Sequence, residues 1–138
     1  MPTTTAQLRA HRPRKQTTKK TVLSPVASPA TVLRCLLSEH KLTQREMAEM
    51  VGVDERSVRR WVASHDPIKM QKRPTQILDD LRDLLGILGS TLPGEQFARW
   101  LRARNRYLGG ARPMDIIAEG HYERVREAAE AYADGSYV

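Results

Sequence analysis

Four side chains between Asp54 and Val62 have the chemistry of nucleic-acid readers: Arg56, Ser57, Arg59 and Arg60. A guanidinium presents a planar fork of donors that fits guanine O6 and N7 or a phosphate, while a serine hydroxyl suits a phosphate or one base edge. Lys69, Lys72 and Arg73 follow closely and would extend the same surface. Glu55 opposes close phosphate packing, yet an acid in a first helical turn suits the macrodipole. A second basic set, Arg99, Arg102, Arg104, Arg106 and Arg112, has no acid between its members. Two roles fit it. It is the outer face of an amphipathic helix whose Phe97, Trp100 and Leu101 point inward, or it is a surface for a partner, because Arg and aromatic residues together form binding hot spots.

Other reactive groups lack a productive arrangement. Asp79 and Asp83 share a helical face with Asp80 beside them, but no His or Cys is near in sequence, and acids early in a helix need no metal. The histidines, at positions 11, 40, 65 and 121, have no ligand spacing. Neither a nucleophile motif nor a glycine-rich phosphate loop is present. The expectation is a non-enzymatic chain without metal or cofactor. Cys35 lies among Val32, Leu33, Leu36 and Leu37 and reads as a small buried apolar residue. A lone cysteine, no secretory apolar stretch and no apolar run of bilayer-spanning length point to a soluble protein of the reducing cytoplasm, without membrane contact.

The reader residues need a scaffold, and the residues around them supply one. Thr43 can cap a helix with Glu46 closing a capping box, and Met47, Ala48 and Val51 form its inner face. Gly52 ends that helix, and Asp54 caps the next, which carries Val58, Trp61 and Val62 and runs out by Asp66 and Pro67. A small residue at 48, a turn glycine at 52 and apolar locks at 58 and 61 have the spacing of a helix-turn-helix. Its second helix, from Glu55 to about Ser64, would present its early residues to a major groove.

The remaining pattern is also helical. Val32, Leu33, Leu36 and Leu37 mark a helix before the motif. Pro74 suits the first turn of a longer helix with a stripe at Ile77, Leu78, Leu81, Leu84, Leu85 and Leu88, broad enough to join two lobes or to pair with a second copy. Pro93 and Pro113 open further helices, and a last one carries Val125, Ala128, Ala129 and Tyr132 up to Gly135. No segment alternates with period two for long enough to be a strand. The expected fold is all-α, with a helix-turn-helix lobe at 30–72, a connecting or dimerisation helix at 73–89 and a small helical lobe at 90–138. Lobes of this size bury little surface alone, so a homodimer or a permanent partner is expected.

Charge is distributed unevenly along the 138 residues. The net +7 lies before the first acid, Glu39, in Arg9, Arg12, Arg14, Lys15, Lys19, Lys20 and Arg34. Residues 1–29, rich in Thr, Lys, Arg and Pro, are expected to be a disordered basic arm, either a solubilising tail or a strand of phosphate contacts. A transit peptide shares that composition, but the helical remainder does not look organellar. Residues 54–73 carry six bases and three acids, while 113–138 carry two bases and six acids.

The run Tyr107-Leu108-Gly109-Gly110-Ala111-Arg112-Pro113-Met114-Asp115-Ile116-Ile117, after a Trp100-bearing helix and before a helix closing at Gly135, resembles the toxin-binding domain of the Xre/MbcA/ParS antitoxin family. Ile116-Ile117 stands where leucines are more usual, and the basic arm has no counterpart role in the family. The resemblance implies an antitoxin of a type II toxin-antitoxin system that covers the active site of a RES-domain, NAD-degrading toxin and represses its own operon by binding operator DNA. It also implies a toxin contact set of Arg102, Arg106, Arg112, Tyr132, Ser136, Tyr137 and Val138. The alternative is a dimeric DNA-binding regulator without a toxin partner.

Overall fold

The structure is a computed structural model that describes residues 27–64 and 69–135. Its elements are α1 (Pro29–Ser38), α2 (Gln44–Val51), α3 (Glu55–Ala63), α4 (Lys72–Leu88), α5 (Glu95–Arg102), a 3₁₀ turn (Arg106–Leu108), α6 (Pro113–Ala118) and α7 (Tyr122–Ala133). Among the described residues the one extended pairing is an isolated bridge between Asn105 and Ala111. The fold is all-α, as the helical periodicity requires.

Local signals account for most helix boundaries. Thr43 and Glu46 form the reciprocal capping box, with Glu46 N–H to Thr43 Oγ1 at 3.0 Å and Thr43 N–H to Glu46 Oε1 at 2.9 Å. Gly52 takes the left-handed conformation, φ 80°, and a Cβ there would lie 3.2 Å from Arg73 Nε. The Asp54 carboxylate accepts the Ser57 N–H at 2.9 Å and caps α3. Helix α4 begins at Lys72, so Pro74 lies in the first turn as expected, where N–H groups have no intrahelical partner. One start differs from expectation. Helix α5 begins at Glu95 rather than Pro93, after Gly94 turns the chain at φ 60°.

The end of the expected arm is also structured. Ser28 caps α1 through Thr31 N–H, Pro29 is its first residue, and Arg82 Nη1 donates to the Ala27 carbonyl at 2.7 Å. Residues 27–29 therefore belong to the folded body, while the rest of the arm, the stretch 65–68 where α3 was expected to run out, and 136–138 lie outside the described residues. Arg34, the last of the seven bases ahead of Glu39, donates to the carbonyls of Val62 at 3.4 Å and Ser64 at 2.7 Å, tying α1 to the end of α3.

Helix α4 is the shared wall. Pro74, Ile77, Leu78, Leu81, Leu84, Leu85 and Leu88 are all buried within a single chain. The helix packs against α1, α2 and α7, while α2 also packs against α6, and α6 against α5 and α7. Apolar residues from Val32 to Ala129 consequently form one continuous cluster. The stripe that could have paired with a second copy is used up inside the chain, so it joins the two parts and is not itself a dimer seam.

A single core predicts a single unfolding transition. The two tryptophans report on opposite parts, Trp61 on α3 and Trp100 on α5. In urea, Trp61→Phe and Trp100→Phe variants should show, through the remaining tryptophan, midpoints that coincide with the loss of helical circular dichroism. Leu81→Ala should lower both midpoints together, by roughly 2–5 kcal/mol of stability. Separate midpoints would establish two independent units.

Candidate functional site

On α3, Val58 and Trp61 are buried and Arg56, Arg59 and Arg60 are exposed. Positions 56, 59 and 60 follow i, i+3, i+4 spacing and share one face, so three of the predicted readers form a single basic surface. Ser57 is half-buried beside it, and its N–H is taken by the cap. The Asp54 carboxyl is held below its ordinary range, first by hydrogen bonding from Ser57 and then by the nearby Arg56 and Arg60. Lys69 and Lys72 are exposed. Arg73 is directed elsewhere, because its Nη2 donates to the Ala118 carbonyl in α6 while its stem lies against Gly52.

The second basic set does not form one patch. Arg102 grips Glu46 with both ends of its fork, Nε to Oε2 at 2.6 Å and Nη2 to Oε1 at 3.0 Å, and Nη2 also donates to the Lys41 carbonyl at 3.0 Å. Hydrogen bonding from Arg102 holds the Glu46 carboxyl below the usual carboxylate range, against the opposing effect of burial, and the Thr43 bonds add to it. Arg112 pairs with Asp115 at 2.9 and 2.8 Å across the first turn of α6 and lowers that carboxyl likewise. Arg104 Nη1 donates to the Gly110 carbonyl at 3.2 Å. Arg99 and Arg106 are exposed, with no hydrogen bond or ion pair to a described residue, and Tyr107 beside Arg106 is the one exposed large hydrophobic residue among the described residues. Tyr132 lies half-buried on α7 with its ring tilted against Trp100, centroids 6.4 Å apart. Ser136, Tyr137 and Val138 lie outside the described residues.

The Gly-Gly step has a clear geometry. Asn105 is buried, accepts the Tyr107 N–H on its side chain at 2.9 Å and pairs its own N–H with the Ala111 carbonyl at 3.0 Å. Gly109 and Gly110 both have positive φ, 69° and 88°, so the chain folds back on Asn105 and enters α6 at Pro113.

This segment matches the family model described as the antitoxin Xre/MbcA/ParS C-terminal toxin-binding domain, over residues 81–135. The chain is 39% identical over 97 residues to the probable mycobacterial cidal antitoxin Rv3188 of Mycobacterium tuberculosis, covering 70% of this chain and 81% of that protein. It is 33% identical over the same length to the mycobacterial cidal antitoxin MbcA of Mycobacterium bovis, covering 84% of it. A chain from the crystal structure of the M. tuberculosis MbcT-MbcA toxin-antitoxin complex superposes with a TM-score of 0.67 at 30% identity, over 82% of this chain and 100% of that one. The protein belongs to the Xre/MbcA/ParS antitoxin family.

The family domain begins inside α4, at Leu81, rather than after it. Its boundary thus runs through the core that it shares with the helix-turn-helix. Sequence reasoning missed the ties across that boundary. His40 is buried with Nδ1 2.9 Å from the Gly94 carbonyl and its ring tilted against Phe97 at 5.3 Å. Within the family domain, Tyr122 donates to Asp83 at 2.5 Å, and Arg126 lies 3.5 Å from the same carboxylate. Asp79 pairs with Arg82, and Gln76 donates to Asp80, whose carboxyl burial pushes up. These aspartates are thus occupied by protein donors, and the described residues contain no cluster of three metal-ligand side chains. A groove of about 340 Å³ lies between Lys72, Arg73, Gln76, Ile77, Asp80 and Gly120.

Glu46 makes the antitoxin-family body acid-sensitive. A carboxyl with a depressed folded-state value contributes stability above its unfolded value and loses it as pH falls through the folded one. Wild-type stability, followed by urea midpoints, should therefore decline as pH drops from about 5 towards 3. The decline should be shallower in Glu46→Gln; parallel pH profiles would remove Glu46 from the account.

Proposed function

We propose that this protein is the antitoxin of a toxin-antitoxin pair, acting by binding rather than catalysis. It would neutralise a RES-domain, NAD-degrading toxin with its C-terminal domain and repress its own operon with its helix-turn-helix. The observation that carries this reading is the packing of an exposed arginine face on α3 and the family's C-terminal domain into one body. The structural relative comes from a toxin-antitoxin complex, MbcT-MbcA, which supports a protein partner here. Arg56, Arg59 and Arg60 are the proposed operator readers, flanked by Lys69 and Lys72. Arg106, Tyr132 and the terminal Ser136, Tyr137 and Val138 are the proposed toxin contacts, with Arg102, Arg112 and Ser57 supporting the two surfaces from within. Two-fold operators are read by two copies, which favours a homodimer in the cytoplasm, formed through a surface other than the α4 stripe.

Co-expression with the product of the adjacent gene should give a stable complex with no NAD consumption, and the partner freed from it should consume NAD. A neighbour that does not bind, or that stays fully active in the complex, refutes the antitoxin reading. An Arg59→Ala, Arg60→Ala double variant should lose binding to its promoter duplex and keep neutralisation. Deleting residues 1–26 should flatten the salt dependence of DNA binding if the arm touches phosphates; an unchanged slope would reduce it to a solubilising tail.

A further inference from the structure

Lys41 is the one non-glycine residue with positive φ, 60°, among the described residues. It lies in the turn between α1, which ends at Ser38 with Glu39 as its cap, and α2. The Leu42 N–H after it reaches back to the Leu36 carbonyl at 3.2 Å, and a positive φ is disfavoured for any residue with a Cβ. Its backbone is fixed on both sides. His40 before it is buried and bound to Gly94, Leu42 after it is buried, and its own carbonyl accepts from Arg102 Nη2. The side chain is different: it is exposed, and no hydrogen bond or ion pair holds its ammonium among the described residues. A cation is thus held in a constrained place where folding alone would favour glycine.

That place is the entry to the helix-turn-helix. Lys41 stands two residues before Thr43, the cap of α2, and the first helix of such a motif crosses the DNA backbone while the second enters the groove. We infer that Lys41 is a phosphate-contacting residue of the DNA interface, binding the duplex backbone beside the site read by α3. The Arg102 fork of the C-terminal domain pins the backbone that carries it. The inference rests on the operator-binding reading proposed above and extends it to a residue on the far side of the motif from the α3 arginines in sequence.

A phosphate contact has a signature that a packing role lacks. It contributes equally to specific and non-specific duplexes, and its loss reduces the salt slope of binding. The experiment measures binding of the full chain to its promoter duplex and to a scrambled duplex, by fluorescence anisotropy across a salt series, together with thermal unfolding. Lys41→Gly should fold with equal or greater thermal stability, because glycine accepts the backbone conformation. It should bind both duplexes more weakly, on the order of fivefold near 0.15 M salt, with a log-log slope shallower by about 0.9. Lys41→Asn, which also tolerates positive φ, should behave alike, and Lys41→Arg should restore binding. Arg124→Gln, the same loss of charge on exposed α7, should leave the slope unchanged. Wild-type slopes in both neutral variants, or an equal change in Arg124→Gln, overturn the inference while leaving operator binding intact. Failure of the wild-type chain to bind its promoter overturns the operator reading and Lys41 with it.

Discussion

Burial of the α4 stripe is the constraint on which the other features depend. Seventeen residues at 1.5 Å each make a helix of roughly 25 Å, and its seven buried side chains face α1, α2 and α7. A helix-turn-helix of the length found here buries too little surface to be stable alone. By lying against the same wall as the C-terminal domain, it gains a core without a second domain's worth of residues. The arginines of α3 are consequently presented by a platform that includes the other functional part, and no linker separates the two.

Polar ties set the orientation that the apolar wall leaves free. Glu46 illustrates the economy: its carboxylate must be at the third position of α2 to close the capping box, and that same carboxylate receives Arg102. Both partners of the pair are partly exposed, 31% and 20%, so solvent screening limits its net contribution to stability. Its effect is directional, since a two-pronged charge-assisted contact fixes α5 against the start of α2 in angle as well as distance. His40 to Gly94 and Arg73 to Ala118 act alike at two other points of the same boundary.

What could be read from the sequence was whatever depends on neighbours within about four residues. The Thr43 and Glu46 box, the Asp54 cap, Gly52 in the turn and the Gly109-Gly110 step each have a local cause, and each is found at its expected position. The arginine face of α3 was equally legible, because helical spacing alone places 56, 59 and 60 together. Contacts between distant residues were not. Arg34 was legible only as the last of seven bases ahead of the first acid, yet it binds carbonyls 28 and 30 positions away. Lys41 gave no signal, because its conformation follows from how α1 ends and from Arg102, 61 residues on.

The arginines from 99 to 112 show why composition over-reads a surface. Five bases without an acid left a broad partner patch open beside a plain outer helix face, but a guanidinium has five donors and seeks acceptors wherever the chain offers them. Glu46, Asp115 and the Gly110 carbonyl take three of the five heads, and the outward chemistry contracts to Arg99, Arg106 and Tyr107. On α7 the exposed Glu123, Glu127 and Glu130 stand beside the equally exposed Arg124 and Arg126, and Arg126 lies 3.4 Å from Glu130. Charge on that helix therefore largely cancels, whereas on α3 Arg56, Arg59 and Arg60 share a face with no acid between them. Local pairing inside the basic segment sharpens that contrast by confining unpaired positive charge to a few positions.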